Sequence, residues 1–173
     1  VLSVGRLDSE KNPLMLADVL ARLVEEDPRW RLVVCGEGSL ADQLDARLRE
    51  LGVDGKAELR GYVAQDSGLA ALYGDCQMLL HVSWTEGLPQ VLYEAFAAGL
   101  PVVATDVGGV REASGDAVTL VPAGDPGAAA QALRELSEDE ALRNRRTEAG
   151  YELVRGATIQ AECLRVAEFL NDR

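Results

Sequence analysis

Two short segments carry side chains suited to holding a phosphorylated ligand. In the first, Arg6 and Lys11 flank a loop that leaves the run Val1–Val4 through Gly5 and meets a helix start at Asn12-Pro13. Glycine lets backbone approach a ligand closely, a helix end offers unpaired N–H groups, and the two cations add full charge. Asp8 and Glu10 stand in the same loop, and surface ion pairs worth only ~0–1 kcal/mol each account for the charges equally well. Both readings stay open on the residues alone.

The second segment runs Ser83-Trp84-Thr85-Glu86-Gly87-Leu88-Pro89-Gln90-Val91-Leu92-Tyr93-Glu94. Gly87 frees the turn and Pro89 suits a first helical turn, so the N–H groups of Leu88, Gln90 and Val91 are placed to face an anion. A helix end favours a negative group by about 0.3–1 kcal/mol. Val91, Leu92, Ala95, Phe96 and Gly99 form the apolar stripe of this helix and leave Glu94 on its border. Glu86 precedes the helix, so the two carboxylates reach different parts of a ligand. A role as partners of the helix dipole explains Glu86 in part and Glu94 poorly.

Short apolar runs alternate with helical patterns through the chain, and these elements must place both segments. Strands are expected at Val1–Val4, Arg31–Cys35, Ala57–Arg60, Met78–Val82, Val102–Thr105 and Val118–Val121. Asn12-Pro13 reads as a cap and first helical position, opening a helix that closes before Pro28. Leu40, Leu44, Leu48 and Leu51 fall at helical spacing, with Gly52 as the stop. Asp125-Pro126 opens a further helix, Ser137 with Glu140 has the form of a capping box, and residues 138–173 read as helical throughout. Continuous apolar strands separated by helices predict a doubly wound α/β domain with a parallel, Rossmann-like sheet covered on both faces. Ligands of such sheets collect at the strand C-termini.

The 173 residues are 47% hydrophobic and 27% charged, enough for one globular domain across 1–173. A net charge of −12 and a pI near 4.5 speak against nucleic acid and anionic lipid as partners. No apolar run approaches the ~20 residues of an integral membrane segment. Cys35, Cys76 and Cys163 have no metal-like spacing and read as free thiols of a reducing compartment, hence a cytoplasmic location. With one His and no clustered Asp pair, no metal site is expected. Because the chain opens inside its own first core strand, it is expected to be a fragment of a longer protein.

Several motifs in order resemble the retaining GT-B glycosyltransferases of the group 1 type, which include glycogen and sucrose synthases. "VGRLDSEKN" is similar to the family's VGR…K segment. "SWTEGLPQVLYEAFAAGLPVVATDVGG" is similar to its E-x7-E segment and the Gly-Gly loop beyond, and "GDAVTLVPAGDP" to its next strand and helix start. The match covers nearly the whole chain as the C-terminal, donor-binding half of a two-domain fold. The resemblance implies that the chain binds a nucleoside-diphosphate sugar beside a missing N-terminal acceptor domain, with no cofactor and no metal. It implies transfer by the full-length enzyme, and an inactive fragment. Arg6 and Lys11 are implied on the diphosphate, with Gly5 beside them, and Glu86 near the transferred sugar. Glu94 is implied on the ribose, and the backbone at Gly87, Leu88, Pro89, Gln90 and Val91 on phosphate. Gly36, Gly61 and Val63 fall at the base pocket. Gln77 departs from a usual Asp, and His81-Val82 from an apolar residue and Pro, which bears on pocket shape.

Other readings remain. His81 is either a structural histidine or a contact to the donor sugar, and Trp84 either stacks on a sugar or packs. Gly36-Glu37-Gly38-Ser39-Leu40-Ala41 fits the dinucleotide fingerprint G-x-G-x-x-A, with Glu58 near the acidic offset. That fingerprint normally follows the first strand, whereas here another strand precedes it. A non-catalytic sugar-nucleotide sensor and a sugar-nucleotide epimerase share the same cleft.

Overall fold

The computed structural model describes residues 1–64 and 68–156. Six parallel strands, β1 (Leu2–Val4), β2 (Leu32–Cys35), β3 (Ala57–Leu59), β4 (Leu79–His81), β5 (Val102–Thr105) and β6 (Val118–Val121), form one sheet in the order β3-β2-β1-β4-β5-β6. The order reverses between β1 and β4, which opens a crevice at their C-terminal ends. β1 and β4 pair only through Leu2 and Leu79, the first residue of each strand, whereas β5 and β6 pair through four residues.

Alternation along the strands feeds two cores. Leu32, Val34, Leu80 and Val103 point to one face, where α1 (Leu14–Glu26), α2 (Ala41–Glu50) and α6 (Pro126–Glu138) cover them. Leu2, Leu79, Val102 and Ala104 point to the other, under α3 (Leu69–Asp75), α4 (Gln90–Ala97) and α5 (Val110–Ser114). The helix α7 (Glu140–Gly156) seals that second face, with Gly150 close on the Phe96 ring. With both faces covered, the strands read as continuous apolar runs.

Local details correct three expectations. Asn12 is not the cap of α1: it ends a 3-10 turn at Ser9–Lys11 in the left-handed region, φ 50, and Pro13 precedes the helix. Asn is among the few residues that tolerate that conformation. Ser137 and Glu140 form no capping box, because α6 runs on through Ser137, whose hydroxyl donates back to the Arg134 carbonyl at 2.8 Å. Asp139 caps the next helix instead, accepting the Leu142 N–H at 2.8 Å. Pro89 is extended and lies before α4 rather than in its first turn. The Asp125 cap does form, accepting from Ala128 N–H at 2.9 Å, and Gly52 does follow α2 with φ 67. The helical reading of 157–173, and with it Cys163, lies outside the described residues.

Candidate functional site

Three loops converge where the strand order reverses. The β1 loop lies against the β2 loop through a series of backbone bonds: Gly5 N–H donates to the Cys35 carbonyl at 3.0 Å, Leu7 N–H to Glu37 at 2.8 Å, and Leu40 N–H to Leu7 at 2.8 Å. A Cβ at Gly36 would overlap the Gly5 carbonyl, and one at Gly38 the Leu7 backbone. The glycines of the apparent dinucleotide fingerprint therefore let two loops of this chain meet. The β4 loop is tied to both neighbours. Trp84 N–H donates to the Glu10 carbonyl at 2.9 Å, and Thr105 Oγ1 bonds both the N–H and the C=O of Ser83 at 2.9 Å. Gly108, with φ 53, permits the β5 loop to press on the Glu86 carbonyl, where any side chain would collide.

The cleft these loops enclose has a volume of about 570 Å³. Gly5, Arg6 and Lys11 line it from the β1 side, Gly36 and Val63 from the β2 and β3 loops, and Glu86, Pro89, Val91 and Glu94 from β4 and α4. Gly61, Gly87, Leu88 and Gln90 do not line it. Gly61 instead supplies the carbonyl that holds Gly36 N–H at 2.7 Å, and the Leu88 side chain stands 55% exposed. Glu37, Tyr62, Leu69 and Cys35 line the cleft without having been singled out by sequence. Cys35, Glu37 and Tyr62 adjoin Gly36 or Val63 in the chain, whereas Leu69 opens α3 and had no such neighbour to point to it. A wider hollow of about 770 Å³ beside α1 and α2 lies away from the strand ends, and Arg47, which lines it, is ion-paired with Asp18.

Glu86 is the most constrained group in the cleft. Its Oε1 accepts from Lys11 Nζ at 2.6 Å and Ser83 Oγ at 2.6 Å, and lies 2.8 Å from His81 Nε2. Its side chain is 6% exposed. Burial pushes the carboxyl up, but the hydrogen bonds from His81, Lys11 and Ser83 outweigh it and hold the group at about 2. Arg6 is paired with Asp8 at 3.0 Å and Glu10 at 2.5 Å, and its side chain is 67% exposed. The ion-pair reading of that loop is thus the geometry seen, at a site that also lines the cleft. Ser39 donates to Asp8 from both its N–H and hydroxyl at 2.9 Å, and these bonds lower the Asp8 carboxyl.

Glu94, on α4, accepts the Tyr73 hydroxyl at 2.7 Å, and burial together with that bond pushes the phenol well above its ordinary range. His81 is buried and bonded, and Trp84, half exposed, packs its six-membered ring over Gly124 outside the cleft. Glu58 sits on the exposed edge strand, paired with Arg60. Among the described residues, no three His, Cys, Asp or Glu side chains converge as metal ligands, and no helix is long and apolar enough to cross a membrane.

The model of the family described as glycosyl transferases group 1 matches residues 1–153. The chain is 36% identical over 146 residues to N-acetylgalactosamine-N,N'-diacetylbacillosaminyl-diphospho-undecaprenol 4-alpha-N-acetylgalactosaminyltransferase of Campylobacter jejuni. That alignment spans 83% of this chain and 38% of the relative, so the chain accounts for well under half of that protein's length. Two solved structures share the fold. One is Anabaena HepE in complex with UDP (TM-score 0.85, 22% identity, 99% of this chain and 48% of that one). The other is the C-terminal domain of a glycosyl transferase group 1 family protein from Francisella tularensis (TM-score 0.79, 24% identity, 90% and 84%).

Proposed function

The chain belongs to the glycosyl transferases of group 1, and from that premise we propose that it is the donor-binding half of a two-domain hexosyltransferase. It binds a nucleoside-diphosphate sugar in the crevice between β1 and β4 and stabilises the diphosphate as it leaves. The observation that carries this reading is the single cleft in which Arg6, Lys11, Glu86 and Glu94 meet beside a helix end. The share of its relatives that the chain spans, and its similarity to a separately solved C-terminal domain, support a second half that holds the acceptor.

In this mechanism Arg6 and Lys11 aim positive charge at the diphosphate. The N–H groups at the start of α4 add fixed dipoles where negative charge develops. Such preorganised donors each account for about 10²–10³ in rate. Glu86, ionised and buried, meets the transferred sugar, and Glu94 meets the ribose. No base is required in this half if a departing diphosphate oxygen takes the acceptor proton on the face it leaves, which gives retention. The cations stand in for a divalent metal, no cofactor takes part, and the working place is the cytoplasm.

Thermal shift tests the proposal with UDP, GDP and ADP, then UDP-glucose, UDP-N-acetylglucosamine, GDP-mannose and ADP-glucose, each with and without a chelator. A ligand that binds the folded form raises its stability by mass action. One base is expected to stabilise the chain, more so with its sugar attached, and equally in chelator. No shift with any of the seven ligands overturns the donor-site reading, and a shift lost in chelator overturns metal independence.

A further inference from the structure

We infer that His81 is a positioning residue, which holds the Glu86 carboxylate in its working direction when a donor occupies the cleft. The inference rests on the proposed role of Glu86 toward the transferred sugar.

Three groups reach one oxygen of Glu86, and they differ in how firmly they are held. Lys11 comes from the β1 loop on a flexible four-carbon stem, and its side chain is 24% exposed. In the proposed function it serves the diphosphate, so an arriving phosphate group draws it from Glu86. His81 has no such competitor. It is the last residue of β4, 6% exposed, on the sheet face that Leu79 shares, and its Nε2 lies 2.8 Å from Glu86 Oε1. Ser83 completes the support, with its hydroxyl 2.6 Å from Oε1 and 3.3 Å from the imidazole nitrogen, and its backbone clamped by Thr105.

The ionised Glu86 carboxylate only accepts, so an Nε2 at 2.8 Å serves it as an N–H donor, beside the hydroxyl that Ser83 donates. The other oxygen, Oε2, takes none of these three contacts and remains for a ligand hydroxyl. A buried imidazole must find a hydrogen-bond partner in any case, and satisfying the core is the plain alternative. The two accounts separate on one point. A merely structural histidine affects all ligands alike, whereas a positioning histidine affects only what the sugar adds.

The test measures, by calorimetry on this chain, the dissociation constants of the diphosphate and the sugar diphosphate selected by the thermal-shift panel. Their ratio is the sugar increment. His81→Ala is expected to leave the diphosphate unchanged and to reduce the increment about fivefold to tenfold. His81→Gln, which places an N–H near Nε2, is expected to restore most of it. Glu86→Ala serves as the reference and is expected to abolish the increment.

If Glu86→Ala removes the increment and His81→Ala does not, the His81 proposal fails and the role of Glu86 stands. If Glu86→Ala changes nothing, the role of Glu86 fails and the proposal falls with it. Equal weakening of both ligands by His81→Ala, or no rescue by Gln, also overturns the proposal. Should His81→Ala not fold, the wild type still answers, because the chain holds one histidine and nitrogen-15 NMR of imidazole reports on it alone. An Nε2–H signal is expected to persist with the diphosphate and to shift further with the sugar diphosphate. A signal that ignores the sugar refutes the positioning role.

Discussion

Glu86 and Glu94 stand in one cleft with different partners, and their energetics diverge accordingly. Glu94 is fixed by the Tyr73 hydroxyl on the border of α4. In its proposed role as a ribose contact it would serve every nucleotide, and losing a charge-assisted hydrogen bond costs about 1.5–3 kcal/mol. Glu94→Ala is therefore expected to weaken plain nucleoside diphosphate by roughly tenfold or more, at 1.4 kcal/mol per decade. Glu86→Ala is expected not to weaken that affinity, since it removes the carboxylate that competes with the diphosphate for Lys11. Equal losses in calorimetry would remove the separate roles. A second expectation concerns acid. The Glu86 carboxyl is held at about 2 against an ordinary 4.5, so its contribution to stability is complete above 4.5 and drains away as pH falls toward 2. Urea midpoints of the wild type should fall more steeply across that window than those of Glu86→Gln; parallel curves would contradict the depressed carboxyl. Arg6, Lys11 and Glu86 stood out in the sequence as charges in loops between a strand and a helix, and Glu94 as a charge on the border of an apolar helical stripe. The sequence did not show that Lys11, Ser83 and His81 meet at one oxygen, since that depends on the side-chain directions of three separate loops.

At the scale of elements, the boundary between α6 and α7 separates two signals that the sequence places side by side. Asp139 accepts the Leu142 N–H, whereas Ser137 bonds backward within α6. Removing a working cap costs about 1 kcal/mol, so Asp139→Ala should destabilise the fold by roughly that amount and Ser137→Ala by less than about 0.5 kcal/mol. The reverse order in chemical unfolding would restore Ser137 as the cap. All six strands were legible, and the reason is burial on both faces, which writes each as an apolar run. The exception in kind is β3, an exposed edge recognised by position more than by composition. Neither α3 nor α5 was singled out, being seven and five residues long with too few turns to show a period. Asn12 misled because Asn-Pro is a capping signal, and nothing local reveals that a 3-10 turn gets there first.

For the whole molecule, the decisive quantities are length and charge. The chain spans 38% of the Campylobacter relative, and on the proposed two-domain reading it would carry no acceptor site of its own. Incubated with the sugar diphosphate selected by thermal shift and with candidate acceptors, it should bind and release donor without forming product; sugar transfer by this chain alone would refute the two-domain reading. The net charge of −12 would repel a diphosphate from an unprepared surface. Yet Arg6 is already matched by Asp8 and Glu10, and Lys11 by Glu86. On the proposed function the cleft would act as a loaded ion exchanger, in which an incoming phosphate trades places with carboxylates of the protein and not with ions from solution. Little salt is then released on binding, so affinity should respond to ionic strength far more weakly than two cations facing a diphosphate would suggest. On the proposed function, Glu86 keeps His81 and Ser83, and Asp8 keeps Ser39, when the cations turn to phosphate, and the charge of these carboxylates favours the return of the cations once the sugar has gone.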